Sequence, residues 1–469
     1  MHILLINPPI REKDPPVVPP IGLANIAQAI IDVGHEVSIL DIQAHRWKAD
    51  QVLNKIRKID FDLCGIGGII TTYEYIKFLT KEIKKTRPNI PIIVGGSVSS
   101  SIPTLLLERT QTDIAVIGEG EETIKELIEV NEDGRDIASV NGIYYKENGQ
   151  INATKPRQRL SASQLISLPA WNLFDLDIYF DHDPSKFNIG SGRRCQAIIT
   201  SRGCPNRCTF CHRNFGRRLV FRDLDDVIGE IKYFVQRWDI LDFYFLDELF
   251  ISTEKRTSAF CERLKSENLN IKFKCSARGN TVTENIIKQL VDVGLYGVNL
   301  GFESGSQRIL DKMKKGTTVD QYRNVVNILR KYNLEENYTF IYGMPGENVE
   351  SIKETINFIK DNNIDPTEGF CLFVATPYPG TELYNQALER GLIDDEEEFI
   401  SRLEDATKYL VNFTEMDEKE FLRRKRKMLN EIQISYCIRN RYYKKLFIDS
   451  VKNKGFTRIL KRFGVLPTT

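Results

Sequence analysis

The sequence predicts an α/β protein: a doubly wound parallel sheet, then a partial barrel of strand–helix repeats, then a helical C-terminal region. Three observations predict it. Short apolar runs alternate with helical stretches from residue 2 to about residue 120, the pattern of a parallel sheet covered on both faces. A second alternation, of six runs, begins at Cys195 and fits a (βα)6 barrel that stops short of closure. After about Gly391 the runs give way to charged helical segments. The expected divisions are residues 1–140, a linker over 141–190, the barrel over 191–391 and the helical region over 392–469.

HILLIN (2–7) opens the first unit, and a proline-rich loop follows to Pro20. Helical periodicity runs from about Gly22 to Val33 and stops at Gly34, a residue suited to the left-handed turn that ends a helix. EVSILD (36–41) is the second strand; LCGIGGII, PIIVGG and IAVIGEG supply three more. Ligands of such sheets bind beyond the C-terminal strand ends. Those ends carry Asn7-Pro8-Pro9, Asp41, Thr71-Thr72, Gly95-Gly96-Ser97 and Gly118-Glu119-Gly120. Their small residues would let a large planar ligand approach the backbone, although glycine at strand-to-helix turns is common and carries little by itself. VNGIYYKENGQ predicts a hairpin turning at Glu147-Asn148-Gly149, and Trp171, Phe174 and Phe180 beyond it are expected to pack.

The barrel strands are read as CQAIITS, LDFYFLDE, IKFKCSAR, YGVNLGFES, NYTFIYGMPG and GFCLFVATPY, with helical stretches such as DVIGEIKYFVQRW between them. Chemistry in such barrels sits at the C-terminal strand ends. The first end carries SRGCPNRCTFCHRN, with Cys204, Cys208 and Cys211. Thiolates at this spacing converge on one centre, and three of them leave one metal position open. A Cys3His zinc knot completed by His212 is the alternative, but adjacent residues seldom reach one ion together. A [4Fe–4S] cluster with one iron free of cysteine is the better fit, given the resemblance below.

Composition bounds the rest. A chain of 469 residues with 41% hydrophobic content has room for two or three cores. Net charge near +1 argues against bulk attraction to nucleic acid. No apolar run has membrane-spanning length, MHILLINPP lacks a signal-peptide pattern, and the six cysteines outside the loop form no disulfide-like framework. A reducing, cytoplasmic compartment is expected. FLRRKRKMLNEIQISYCIRNRYYKKLF and RILKRF are basic with an apolar stripe. They read either as a surface for an anionic lipid, nucleic acid or acidic partner, or as helices packed on the barrel with their charges exposed; the weak amphipathic signal favours packing.

The cysteine spacing, with Phe210 just before the last thiol, resembles the radical S-adenosylmethionine (SAM) superfamily. PPIGLANIAQAIIDVGHEVSILD, followed by IVGG and VIGEGEE, resembles the Rossmann-like cobalamin-binding domain fused to many of its members. The resemblance implies a [4Fe–4S] cluster whose open iron chelates SAM, reductive cleavage to a 5′-deoxyadenosyl radical, and cobalamin at Thr71, Thr72, Gly95, Gly96, Ser97, Gly118, Glu119 and Gly120. It also implies SAM contacts along the barrel rim: Phe210 beside the cluster, Asp247 or Glu248 for the methionyl ammonium, Ser276 and Arg278 on one strand face, Glu303 for the ribose hydroxyls and Gly343 near adenine. The arginine fork suits the methionyl carboxylate. Bland alternatives are a helix-capping Asp247–Glu248 pair, a salt bridge at Arg278 and a capping Glu303. The lysines of KMKKGTT read as solvated, and Tyr378 as either near substrate or packed.

Many cobalamin domains of this kind carry Asp-x-His-x-x-Gly after the first strand, whose His ligates cobalt. NPPIREKDPPVVPP has no histidine, and His35 and His45 flank the second strand, so base-off, His-off cobalamin is expected. The function implied is methylation of an unactivated carbon, supported by a flavodoxin- or ferredoxin-like reductant. Two rivals are a cobalamin and radical SAM enzyme that cyclises, oxidises or rearranges its substrate, and a non-catalytic iron–sulfur sensor. A sensor has no need for the charged set at successive strand ends.

Overall fold

The computed structural model describes residues 1–442 except 11–13, 188, 193 and 405–407. The basic stretches read within 443–469 lie outside the described residues. β1 (His2–Asn7), β2 (Glu36–Asp41), β3 (Leu63–Gly67), β4 (Ile92–Gly95) and β5 (Ile114–Val116) form a parallel sheet in the order β2-β1-β3-β4-β5. Ile3, Leu4, Leu5 and Ile6 are all buried, because helices such as Ile21–Asp32 and Tyr73–Thr86 cover both faces. β6 (Ile143–Glu147) and β7 (Gln150–Ala153) then add antiparallel to β5, so this sheet continues past residue 140 to Ala153. Their two-residue turn, Asn148-Gly149, has φ of 49° and 77°, matching the right-handed twist of a hairpin.

The connecting segment packs as expected. Trp171 is fully buried, donates to Glu230 Oε1 at 2.9 Å and meets Phe174 and Phe234 edge-on. Arg222 closes on the other Glu230 oxygen at 2.6 Å, so no charge in this core is left alone.

The second unit begins with β8 (Cys195–Ile198), and two short antiparallel strands, β9 (Ser201–Arg202) and β10 (Val220–Phe221), brace the loop after it. β11 (Asp242–Phe245), β12 (Lys272–Ala277), β13 (Leu295–Glu303), β14 (Glu335–Tyr342) and β15 (Phe370–Val374) complete six parallel strands in the order β15-β14-β13-β12-β11-β8. β15 and β8 do not pair, so the barrel stays open along one seam. Strand alternation sends Phe243, Phe245, Phe273 and Phe302 outward against the helices. Tyr244, Ser276 and Asn299 stand on the other face and are hydrogen-bonded through the Tyr244 hydroxyl at 2.8 and 3.0 Å.

The basic helix Glu418–Arg439 packs beside the helix Val349–Asp361. Phe421, Met428 and Ile432 are buried while Arg423, Arg426 and Lys427 are exposed, so this part takes the packed form of the two readings. No helix among the described residues is long and apolar enough to cross a membrane.

Candidate active site at the facing strand ends

The rim of the first sheet meets the rim of the barrel. The turn after β4 leads into the short helix Ser97–Ser101, and Ser101 Oγ is hydrogen-bonded to His212 Nε2 at 2.9 Å, one residue past Cys211. From the turn after β5, Glu119 accepts from Arg202 at 3.1 Å, and Arg202 also reaches Glu121 at 2.6 Å. Arg159 donates to the second Glu119 oxygen at 2.8 Å. Burial opposes ionisation of Glu119, but Arg159, the Leu160 amide and Arg202 outweigh it and hold its pKa below the ordinary value. Both units therefore clamp the cysteine loop.

Within that loop the Cys204 amide donates to Gly216 O at 3.1 Å, and Asn206 donates to Cys204 Sγ at 3.2 Å. Arg278 donates from Nη1 to Cys208 Sγ at 3.2 Å. Burial, with the nearby Cys208 and Cys204 thiols, pushes the Cys211 thiol up to about 11. Crowded thiols resist ionisation together, and a bound metal would relieve this. His212, spoken for by Ser101, is turned toward the first unit.

At the second barrel end, Asp247 and Glu248 part company. Asp247 is buried and accepts from the Thr200 amide at 3.1 Å and hydroxyl at 2.9 Å, and from the Ser201 hydroxyl, tying β11 to β8. Both Glu248 oxygens are buried without a hydrogen-bond partner. Burial raises the Glu248 pKa, and the backbone of Phe215 and Asn214 with Arg159 and Arg213 offsets part of that. At the third end Ser276 bonds to Tyr244, and Arg278 also donates to Lys315 O. At the fourth, Glu303 sits at φ 64° with its Oε1 2.7 Å from Lys315 Nζ. At the fifth, Gly343 has φ 92°, donates to Glu347 and lies against the Phe421 ring.

Two family profiles match this chain: "B12 binding domain" over residues 9–128 and "Radical SAM superfamily" over residues 198–359. A protein of Pyrococcus horikoshii described as an uncharacterized methyltransferase is 32% identical over 400 residues, 84% of each chain. The chain belongs to the cobalamin-dependent radical SAM family. It is an enzyme of that family. A Synechocystis protein named anaerobic magnesium-protoporphyrin IX monomethyl ester cyclase is 27% identical and covers 84% of this chain and 78% of its own. Among solved structures, the cobalamin-dependent SAM radical enzyme OxsB superposes with a TM-score of 0.75 at 18% identity, over 98% of this chain and 74% of its own. The radical SAM methyltransferase TsrM of Kitasatospora setae gives 0.71 at 20% identity, over 84% and 77%. Both likenesses speak to the fold.

The residues present fit the family's cofactors. Three soft thiols share one loop, and an unpartnered carboxylate at Glu248 stands near Cys211. On the first sheet, the ends of β3, β4 and β5 lie side by side: Gly118 N donates to Ser100 Oγ at 2.9 Å, and a Cβ on Gly96 would lie 2.3 Å from Gly68 O. A Cβ on Gly95 or Gly118 would meet nothing within 4 Å, so these backbones are open to a broad ligand. Thr71 is half-buried in the turn Ile70–Thr72, Thr72 Oγ1 donates to Ile69 O at 2.7 Å, and Ser97 opens its helix. Glu119 is different, since its carboxylate is consumed by two arginines. Gly120 leads into the helix Glu121–Asp133 and packs on Ile26.

One sequence reading changes, and at two other positions the alternatives narrow. Lys315 is buried and paired with Glu303, with Nζ 5.7 Å from the centre of the Phe210 ring, whereas the charge run in KMKKGTT reads as solvated. Tyr378 spends its hydroxyl on Glu404 O at 2.9 Å, which is the packing role. Arg278 faces the cysteine loop, not a loop carboxylate. The missed Lys315 carried one signal: a strand-end glutamate buried beside it needs a cation.

Proposed function

We propose that this enzyme transfers a methyl group to an unactivated carbon, using a [4Fe–4S] cluster, SAM and cobalamin held between the two rims. The observation that carries it is the clamp on the cysteine loop. Ser101 at His212 and Glu119 at Arg202 tie the glycine-rich turns of the first sheet to the two ends of the cysteine loop, which supports this reading. When bound, the reduced cluster supplies the electron that cleaves SAM, and methylcobalamin supplies the methyl group. The chain's own residues then bind and orient. Cys204, Cys208 and Cys211 would hold the cluster. Glu248, whose buried oxygens have no side-chain partner, is the acceptor for the methionyl ammonium, and Asp247 is the brace behind it. Glu303 accepts from the ribose hydroxyls, Phe210 shields the cluster, and the Gly343 backbone borders adenine. Arg278 and Ser276 line the rim between them. Gly95, Gly96, Ser97, Gly118, Thr71 and Thr72 border the corrin.

We propose cobalamin without a histidine ligand. His35 bonds the Met1 amino group at 3.1 Å and faces Glu132, and His45 stacks on Trp47 at 4.3 Å. The electron donor is proposed to be a flavodoxin- or ferredoxin-like protein. A second reading, radical cyclisation or rearrangement with no methyl transfer, draws on the cyclase-named relative.

Anaerobic reconstitution with iron, sulfide and hydroxocobalamin, then SAM under a strong reductant, tests both. Bound corrinoid with 5′-deoxyadenosine and S-adenosylhomocysteine is the expected outcome. Deoxyadenosine with corrinoid but no S-adenosylhomocysteine would favour the second reading, and a protein that takes up no corrinoid would sink both.

A further inference from the structure

Lys315 is a buried cation for which the proposed chemistry has no role. Its side chain is 6% exposed, and its Nζ closes on Glu303 Oε1 at 2.7 Å. The pair exists because position 301 is glycine: a Cβ there would lie 2.3 Å from Glu303 Oε1 and 3.1 Å from Lys315 Nζ. β13 also shifts register between Gly301 and Glu303, and Glu303 takes a left-handed φ of 64° that a glutamate rarely adopts. Such a conformation persists only where the surroundings hold it, and Lys315 is what holds the carboxylate.

The same lysine reaches the cluster side. Its backbone carbonyl accepts from Arg278 Nη2, while Nη1 of that guanidinium lies on Cys208 Sγ. Two residues earlier, Met313 O accepts from the Thr209 amide at 3.0 Å, inside the cysteine loop. Lys315 Nζ stands over the Phe210 ring. One turn thus touches the strand-end glutamate, the arginine and the loop that carries the thiols.

We propose that Lys315 is a positioning residue of the SAM site: its ammonium fixes Glu303 through Oε1 and leaves Oε2 to accept from the ribose hydroxyls, while its backbone sets Arg278 against the cysteine loop. This rests on the reading of Glu303 as the ribose acceptor. A carboxylate has lone pairs for about four hydrogen bonds, so one taken by lysine leaves room for two hydroxyls. The pair is also neutral as a unit, so the lysine adds little repulsion toward the SAM sulfonium.

The test uses the reconstituted full chain, with SAM and free methionine as probes. Affinity is read by equilibrium dialysis, and the reduced cluster by its electron paramagnetic resonance spectrum. Lys315→Met is expected to keep its iron and its response to methionine, which has no ribose, and to bind SAM about 10- to 100-fold more weakly. Lys315→Arg, which keeps a cation on Glu303, recovers part of that loss. Glu303→Gln with Lys315→Met binds no more weakly than Glu303→Gln alone, the signature of one coupled unit. SAM affinity unchanged in Lys315→Met but lost in Glu303→Gln would overturn the proposal and leave the ribose reading standing. Unchanged affinity in both variants would instead remove the ribose reading beneath it. Loss of iron, or of the methionine response, in both Lys315 variants would make the lysine a folding element and overturn the positioning role.

Discussion

Replacing Glu347 by glutamine should stabilise the barrel above neutral pH and do so much less at pH 5. Glu347 is buried after β14, where its carboxylate accepts from the Gly343 amide at 2.5 Å. Burial pushes its pKa from 4.5 to about 7, against the help of that amide and of Arg308. The sign follows from which state holds the proton. Below pH 4.5 the group is protonated folded and unfolded, and stability is untouched. As pH rises from there to about 7, the unfolded chain ionises while the fold keeps its proton, so stability falls; above about 7 the loss is complete. At about 1.4 kcal/mol per pH unit, that span costs about 3 kcal/mol. Glutamine keeps an oxygen for Gly343 and has no proton to lose. Urea unfolding of both proteins from pH 5 to pH 8.5 should therefore give a difference that climbs from just under about 1 kcal/mol to about 3 kcal/mol in favour of Glu347→Gln. A difference that stays flat across that range refutes the reasoning, whatever its size.

Other parts of the site separate in the same way. Alanine at Cys204, Cys208 or Cys211 should abolish iron retention and 5′-deoxyadenosine formation, whereas His212→Ala should keep its iron; iron lost from His212→Ala would revive a Cys3His centre. Glu248→Gln should weaken SAM binding by about tenfold or more with the fold intact, because a buried acceptor loses its charge. Asp247→Asn should instead lower the urea midpoint, since the Thr200 and Ser201 bonds hold β11 to β8. The reverse pattern in these two would exchange their roles. Arg202→Met should cost about 3–5 kcal/mol by leaving Glu121 buried without its partner, and should open the linker to protease. A variant as stable and protease-resistant as the parent would sink the clamp.

Much of this was legible in order along the chain. Cys204, Cys208 and Cys211 announce themselves because the ligands proposed for one centre lie within a few residues. EVSILD reads as a strand end to end because its ends are marked by Gly34 before it and Asp41 at its close. Where partners are distant, the sequence is silent. Asp247 and Glu248 differ only in which one meets Thr200 and Ser201, more than forty residues back. Glu119 looks like a crevice residue until Arg159 and Arg202 arrive from beyond the sheet. The hairpin at residues 143–153 was readable as a hairpin, but its pairing with β5 was not, because edge pairing depends on what else could cover that edge. Lys315 is the hardest case, since a lysine among lysines gives no hint that one of them is buried.

The unpaired seam between β15 and β8 has a consequence for how the enzyme is built. Ser101, from the other half of the molecule, stands at both lips: it bonds His212 beyond β8, and its Oγ would lie 3.2 Å from a Cβ placed on Gly380 beyond β15. The first unit therefore seals a seam in a sheet it does not belong to, at the point where Gly380 already lies against His212. The barrel spans this gap at its rim with one bond of its own, from the Leu383 amide to Thr209 O at 2.9 Å, and Ser101 adds a second tie from outside the barrel. A residue change at Ser101 is therefore felt on both lips of the seam, although it sits on neither strand that borders it.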